Sequence, residues 1–262
     1  MRRIRSVLLA LTVLVCAGPT WATDGVNASN LFSPPTHVRP LKIAIYDGPG
    51  SGEKGIAAVS ALARQLAGAL VTALKPAALG TADLSGYDLI IFSGGSGSAQ
   101  AKALGEAGRQ NVRRFVAGGG GYLGVCAGAY LACAGFDWGL GILNAKTLSN
   151  RWQRGRGTME IELADAGRPL LGEVKGRFFI RYANGPIIQP LGRAGLEPYA
   201  VAAYFRTEIA NNGSPVGVMK DSPAIVFAPF GKGKVMAISP HAEDTPGLEN
   251  LITQALVWLG RN

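Results

Sequence analysis

Residues 119–130 read GGGYLGVCAGAY and contain the pattern G-x-C-x-G at Gly124, Cys126 and Gly128. The apolar run Tyr122–Val125 predicts a buried strand, and the small residues after the cysteine predict the start of a helix. A G-x-C-x-G pattern between a strand and a helix is typical of a nucleophile elbow, a sharp turn that exposes its central side chain. The pattern therefore predicts a reactive Cys126 at a helix N-terminus, where the dipole favours a thiolate.

Backbone amides near this turn are candidate donors to an oxyanion. The N–H of Ala127 directly follows the cysteine, and Gly94 and Gly95 follow the neighbouring predicted strand, Asp88–Phe92. Such donors stabilise the negative charge that develops on a carbonyl oxygen during acyl transfer. The alternative interpretation is a structural strand–helix junction that holds a small cysteine.

A second group of candidate residues lies near the C-terminus. His241 and Glu243 follow the last predicted strand, and His241 is the only histidine after the N-terminal 40 residues. A cysteine nucleophile needs a base, and the base needs a carboxylate that fixes its tautomer. Because sites of α/β sheets lie at the carboxyl ends of their strands, we predict that Cys126, His241 and Glu243 come together as a catalytic triad.

The fold class follows from the apolar periodicity of the first half. Strand and helix patterns alternate there, with a strand at Leu41–Tyr46, a helical stripe within Glu53–Leu74 whose end favours a second strand, a strand at Asp88–Phe92 and a helix at Ala99–Ala117. Alternation at these lengths predicts an α/β fold, a flavodoxin-like three-layer sandwich with a mainly parallel central sheet.

The second half is richer in strands and continues the same domain. Strands are predicted at Thr158–Leu163, Arg177–Tyr182, Tyr199–Glu208, Ala224–Pro229 and Lys234–Ser239, before a closing helix at Leu248–Leu259. Because no linker interrupts the pattern, residues 41–262 are predicted to form one domain.

The N-terminus has the pattern of an export signal. Residues 1–22 open with three arginines, continue with an apolar run to Ala17 and end at the small residue Ala22. This is the pattern of a secretory signal peptide, and the apolar run is too short for a stable membrane span. We expect cleavage after Ala22, with Ala28 as a second site and an uncleaved anchor as the alternative. The product would then be periplasmic or extracellular, with residues 23–40 as an extended leader.

Cysteine and histidine counts restrict the chemistry. The chain has 262 residues, three cysteines and two histidines, too few for a pair of zinc ribbons or a disulfide scaffold. Cys16 leaves with the signal peptide and His37 lies in the polar leader. Cys133 lies seven residues beyond Cys126 on the predicted helix, too far for a disulfide, and is expected to be a small buried hydrophobe. One thiol and one imidazole remain, and no metal or cofactor is predicted.

The charge is basic, with 26 Lys+Arg against 17 Asp+Glu, and the net charge of +9 falls to +6 without the three signal-peptide arginines. Net charge bears on solubility and non-specific binding, and no nucleic-acid motif accompanies it. Arg151, Arg154, Arg156 and Arg181 are candidates for binding a carboxylate or other anion, and a solvated face is the alternative. We therefore expect a small-molecule amide or acyl substrate and no nucleic acid.

Residues 119–130 resemble the class I glutamine amidotransferase-like superfamily, and they look closest to the N-terminal domain of biotin-protein ligases. Other stretches that look like landmarks of that group are Tyr46–Gly50, Gly94–Gly95, Phe115–Val116 and Arg181–Pro186. The resemblance implies the same triad, Cys126, His241 and Glu243. The residues to which we assign oxyanion or substrate-binding roles on this basis are Gly94, Gly95, Ala127, Tyr182 and Asn184.

Together these features predict an exported thiol hydrolase that acts on an amide or related acyl bond. We expect no biotin ligase domain in this chain and no synthetase domain that would receive ammonia. The alternative is a binding module that keeps the fold while its thiol is inert. Alkylation of Cys126 distinguishes the two, because a reactive thiolate well below about pH 8.5 favours the enzyme.

Overall fold

The computed structural model describes residues 30–36, 39–149 and 154–260. The predicted signal peptide with its two candidate cleavage sites lies outside these ranges, as do Cys16, His37 and Arg151. Across the described ranges, no helix combines the length and the apolar character needed to cross a membrane.

The described chain forms a nine-stranded sheet and a separate two-stranded sheet, flanked by helices. The strands are β1 (Lys42–Tyr46), β2 (Leu70–Leu74), β3 (Leu89–Phe92), β4 (Gly121–Val125), β5 (Ala145–Thr147), β6 (Arg156–Leu163), β7 (Arg177–Ala183), β8 (Ile188–Pro190), β9 (Ala200–Phe205), β10 (Pro223–Phe230) and β11 (Gly233–Ile238). The helices are α1 (Glu53–Arg64), α2 (Pro76–Thr81), α3 (Gly97–Ala117), α4 (Ala127–Ala132), α5 (Arg168–Leu171) and α6 (Glu249–Gly260).

Parallel strands form the half of the large sheet that carries the elbow. Their order is β2-β1-β3-β4-β11, and each neighbouring pair is parallel. Alternate side chains of these strands pack on α1 and α6 on one face and on α2, α3 and α4 on the other. This order and layering are those of a flavodoxin-like fold, so the predicted three-layer α/β sandwich is confirmed.

The strand-rich second half extends this sheet with antiparallel strands in the order β11-β10-β9-β6-β7. The extension curves, because its outermost strand returns to the loop that follows β11. There the backbone N–H of His241 donates to the carbonyl of Arg181 at 2.8 Å, and the two residues form an isolated antiparallel bridge. The second half therefore both widens the sheet and encloses the end of β11.

The helix after the elbow is shorter than predicted. Cys133 does not lie on the same helix as Cys126, because α4 ends at Ala132 and the chain then pairs with Leu143 in a short parallel bridge. Both cysteines are free and buried, so the expectation that they do not bridge is confirmed. Burial raises the pKa of Cys133 to about 12, which keeps that thiol protonated and unreactive.

The N-terminal leader is attached to the domain by Phe32. Its side chain is 1% exposed and packs edge-on against Phe178, with ring centroids 5.3 Å apart. Next to it, the N–H of Leu31 donates to the carbonyl of Gly247 at 2.8 Å. Residues 30–36 of the leader contain no helix or strand, and Phe32 belongs to the core although it precedes the predicted boundary at Leu41.

Replacing Phe32 with alanine should lower the free energy of unfolding by about 3 kcal/mol, because it empties a closed aromatic site. Urea denaturation of the purified protein measures this loss. Leu31→Ala is the matched control, since Leu31 is 46% exposed and its truncation should cost less than about 0.5 kcal/mol. Equal losses in the two variants would show that Phe32 is not part of the core.

Candidate active site

A cavity of about 640 Å³ lies at the carboxyl ends of the parallel strands. The loops that leave β3, β4 and β11 bring Gly94, Cys126 and His241 to it. Ligands of open α/β sheets bind at this edge. The cavity is also lined by Lys54, Gly95, Tyr130, Phe136, Trp138, Arg156, Arg181, Ala183, Asn184, Glu243 and Asp244.

The turn at Cys126 has the conformation of a nucleophile elbow. Cys126 has φ 50° and ψ −95°, a left-handed conformation that L-residues other than glycine rarely adopt. Its flanking glycines are required by contact: a Cβ on Gly124 would lie 2.4 Å from the carbonyl oxygen of Gly128, and one on Gly128 would lie 2.2 Å from that of Phe92. The small residues predicted on both sides of the cysteine are therefore needed for the helix to start against β3.

His241 and Glu243 meet through a tight turn. The 3-10 turn Ala242–Asp244 brings the Glu243 carboxylate back, so that its Oε1 lies 2.7 Å from His241 Nδ1. The Glu243 side chain is 1% exposed and that of His241 is 10% exposed. The Thr245 hydroxyl donates to the His241 carbonyl at 2.6 Å, which holds the turn closed. The contact leaves Nε2 of the imidazole free for a second partner.

Cys126 interacts with the same imidazole. The thiol donates to the carbonyl of Ala183 at 3.5 Å and lies within hydrogen-bonding reach of His241. Burial acts to lower the pKa of His241, but hydrogen bonds and charge interactions with Cys126 and Glu243 outweigh burial and raise it to about 10. His241 is therefore protonated at neutral pH. The structure brings together all three residues of the predicted triad.

The glycine loop after β3 lies directly against this group. A Cβ on Gly94 would lie 2.8 Å from His241 Cε1 and 3.7 Å from Cys126 Cβ, so no larger residue fits there. Among the described residues, neither the N–H of Gly95 nor that of Ala127 donates to a backbone carbonyl. Gly95 lines the cavity, and Ala127 is buried at the start of α4. Both amides thus lack a backbone acceptor, and of the two residues Gly95 lines the cavity while Ala127 does not.

Of two residues predicted to bind substrate, Asn184 lines the cavity and Tyr182 does not. Tyr182 is fully buried, and its hydroxyl donates to the carbonyl of Gly185 at 2.7 Å; it is not among the residues that line the cavity. Asn184 does line the cavity, but its Oδ1 accepts from the N–H of Gly155 at 2.7 Å. Its side chain therefore holds a loop at the cavity rim.

Two of the candidate arginines line the cavity, and a third lies away from it. Arg156 and Arg181 line the cavity, and Arg181 lies 3.3 Å from Asp244. Arg154 is 2% exposed and lies 3.4 Å from Glu208, away from the lining. The anion-binding interpretation is thus available for the first two and not for Arg154.

Four of the lining residues that the sequence did not identify carry an aromatic ring or a positive charge. Tyr130, Phe136 and Trp138 place aromatic rings in the cavity, and Lys54 adds a cation from α1. Tyr130 lies four residues after Cys126, one helical turn away, and this spacing is a signal that could have found it. Phe136 and Trp138 lie in the loop after α4, where no periodicity points to a site.

Among residues 30–36, 39–149 and 154–260, no three histidine, cysteine, aspartate or glutamate side chains are grouped so that they could hold a metal ion.

The positive φ of Cys126 predicts a difference in the free energy of unfolding between two variants at this position. Cys126→Gly should unfold with a free energy about 1 kcal/mol higher than Cys126→Ala, because glycine tolerates the positive φ while both variants lose the thiol. Chemical denaturation of the two variants measures the difference. Cys133, with φ −61°, is the control position: there the glycine variant should be the less stable one. The same order at both positions would mean that the turn is unstrained.

Solved structures share the fold at low sequence identity. A chain of PurLQS from Thermotoga maritima is 15% identical with a TM-score of 0.61, and the match covers 83% of this chain and 98% of that one. A ThuA-like protein from Parabacteroides merdae is 12% identical with a TM-score of 0.57, covering 85% and 90%. A cytoplasmic protein from Salmonella typhimurium is 16% identical with a TM-score of 0.55, covering 85% and 100%. No curated protein matches the sequence.

The family comparison covers the elbow. Residues 41–160 match the family described as "Biotin-protein ligase, N terminal". The match ends within β6, and the chain described beyond it completes the same sheet, so the described residues contain no separate ligase domain. The resemblance seen in residues 119–130 is confirmed: residues 41–160 match the biotin-protein ligase N-terminal family, and the chain shares its fold with the solved structures named above.

Proposed function

We propose that this amidotransferase-like domain is an exported thiol hydrolase that cleaves an amide or related acyl bond. One observation carries the proposal. The strained Cys126 lies within hydrogen-bonding reach of a protonated His241, which in turn lies 2.7 Å from Glu243. A nucleophile, a base and a group that orients the base are the parts that thiol-dependent acyl transfer requires.

In the first step, the proton of the Cys126 thiol is held by His241, so the sulfur attacks the carbonyl carbon as an anion and a carbon–sulfur bond forms. The carbonyl oxygen becomes negatively charged, and the N–H groups of Gly95 and Ala127 are its donors. His241 then gives its proton to the leaving nitrogen, the carbon–nitrogen bond breaks, and ammonia or an amine departs. The acyl group remains on Cys126 as a thioester.

In the second step, water attacks the thioester carbon while His241 takes the proton that the water loses. The carbon–sulfur bond breaks, the carboxylic acid leaves, and the proton on His241 again pairs with the sulfur of Cys126. Glu243 remains ionised throughout, because its role is to accept the Nδ1 hydrogen bond and to stabilise the charged imidazole.

Export is part of this proposal and supports water as the acceptor. The first 22 residues have the pattern of a secretory signal, which would deliver the mature chain to the periplasm or the cell exterior. Synthetic amidation normally consumes ATP, which an exported protein does not readily meet. Hydrolysis therefore fits the proposed location better than synthesis does.

Replacing the nucleophile should abolish turnover. We expect Cys126→Ala to release no ammonia above background from primary amides, and His241→Asn to be slowed at least about a hundredfold because proton transfer is lost. Ammonia release and the mass of the acid-quenched protein are the two measurements, the second reporting a thioester adduct on the wild type. Cys133→Ala is the matched control and should keep both activity and adduct.

Wild-type rates in Cys126→Ala would refute the thiol mechanism. Retained ligand binding without turnover or adduct, in the wild type as well as in the variant, would instead favour a binding module that keeps the fold.

The pH dependence follows from the raised pKa of His241. kcat/KM should fall as the pH rises through about 10, because His241 must carry a proton to release the leaving nitrogen; an ordinary histidine would lose it near about 6.5. Glu243→Gln removes one of the contacts that raise this pKa, so its basic limb should move to lower pH. A pH–rate profile of both proteins measures the shift. An unchanged basic limb in Glu243→Gln would separate Glu243 from the proton transfer.

A further inference from the structure

Three aromatic rings line the cavity beside Cys126, and the proposed chemistry does not use them. Phe136 and Trp138 are stacked, with ring centroids 4.4 Å apart and planes inclined by 22°. Tyr130 lies 6.2 Å from Phe136. All three are only partly buried, so they present apolar ring surface to the cavity.

Hydrogen bonds fix the Tyr130 side chain and the backbone of Trp138. The Tyr130 hydroxyl donates to the carbonyl of Asn184 at 3.1 Å, and the backbone carbonyl of Trp138 accepts from Arg109 at 3.2 Å. A ring surface that is already ordered binds a planar partner with little loss of conformational entropy. Offset or edge-on contact with a second ring adds to the area that such a partner buries.

The same cavity has an excess of positive charge. Lys54, Arg156 and Arg181 line it together with Glu243 and Asp244. Glu243 pairs with His241 and Asp244 pairs with Arg181. Lys54 and Arg156 have no acidic partner in the described part of the chain, and both are exposed. An anionic group on a ligand would therefore find two cations that the protein itself does not neutralise.

We propose that the substrate is an amide whose acyl portion carries both a planar ring and a negatively charged group. The ring lies on Phe136 and Trp138, and the negative charge pairs with Lys54 and Arg156. A cavity of about 640 Å³ is of the size that holds drug-sized molecules, so it accommodates a ring in addition to the amide. This inference rests on the proposed function, because it assigns the selectivity of the same site.

Four related amides test the assignment: N-acetylglutamine, N-benzoylglutamine and the α-methylamide of each. All four present the same side-chain amide, and they differ only in the ring and in the negative charge. Ammonia release by the wild type should give a kcat/KM about tenfold higher for benzoyl than for acetyl compounds, and about fivefold higher for free acids than for methylamides. Ratios near one for both comparisons, with measurable turnover, would overturn the inference and leave the proposed hydrolase intact.

Variants assign each preference to its residue. Trp138→Ala should reduce the benzoyl-to-acetyl ratio and leave the acid-to-methylamide ratio in place, while Arg156→Met should do the reverse. Trp138→Leu, which keeps apolar volume, repeats the first test if the alanine variant does not fold. Phe179→Ala and Arg193→Met are matched controls, because both residues are exposed and lie outside the cavity lining; both ratios should stay at wild-type values. Ratios that change equally in all four variants would contradict the assignment.

Binding separates a failure of this inference from a failure of the proposed function. Cys126→Ala cannot form the thioester, and its affinity for N-benzoylglutamate and N-acetylglutamate is measured by titration calorimetry. If no amide is turned over but the benzoyl acid binds about tenfold more tightly, the hydrolase proposal fails and the ligand class stands. Absence of both turnover and binding would overturn the two together.

Discussion

The candidate site depends on how closely the start of α4 approaches the backbone of β3. Carbonyl oxygens of Phe92 and Gly128 occupy the space that side chains on Gly128 and Gly124 would need. The chain can turn in so small a space only if Cys126 adopts a left-handed conformation, at a cost of about 1–3 kcal/mol. Burial of the two core layers on either side of the sheet offsets that strain. The thiol is therefore presented at the strand end by packing and not by a flexible loop.

The rest of the site comes from a different part of the chain. The parallel strands supply Gly94, Cys126 and His241, whereas the antiparallel extension supplies Arg181 and Asn184. The two halves meet where the N–H of His241 donates to the carbonyl of Arg181. The region that matches the biotin-protein ligase N-terminal family ends at residue 160. It contains the elbow but not His241, so the complete cluster needs segments from both halves of the sequence.

Local patterns determined most of what could be predicted. The G-x-C-x-G pattern, the apolar strands and the position of His241 after the last strand are short-range signals, and they were sufficient for the α/β sandwich and for the proximity of Cys126, His241 and Glu243. The burial of Tyr182 and Arg154 and the cavity positions of Phe136 and Trp138 depend on how distant loops fold over one another. Phe32 is similar, because a single aromatic residue in a polar leader has no periodicity to mark it as core.

The loop that carries His241 also affects how the sheet ends. β7 is an outer strand, and such strands expose N–H and C=O groups that pair with other chains and promote aggregation. Here the N–H of Arg181 donates to Thr245 Oγ1 and its carbonyl accepts from His241, while Phe179, two residues earlier, is 65% exposed. The turn that positions the imidazole therefore also pairs the backbone N–H and C=O of Arg181, which would otherwise be open at the edge of β7. The pairing of Arg181 at this edge and the position of the imidazole depend on the same hydroxyl, because Thr245 Oγ1 accepts from the Arg181 N–H and donates to the His241 carbonyl.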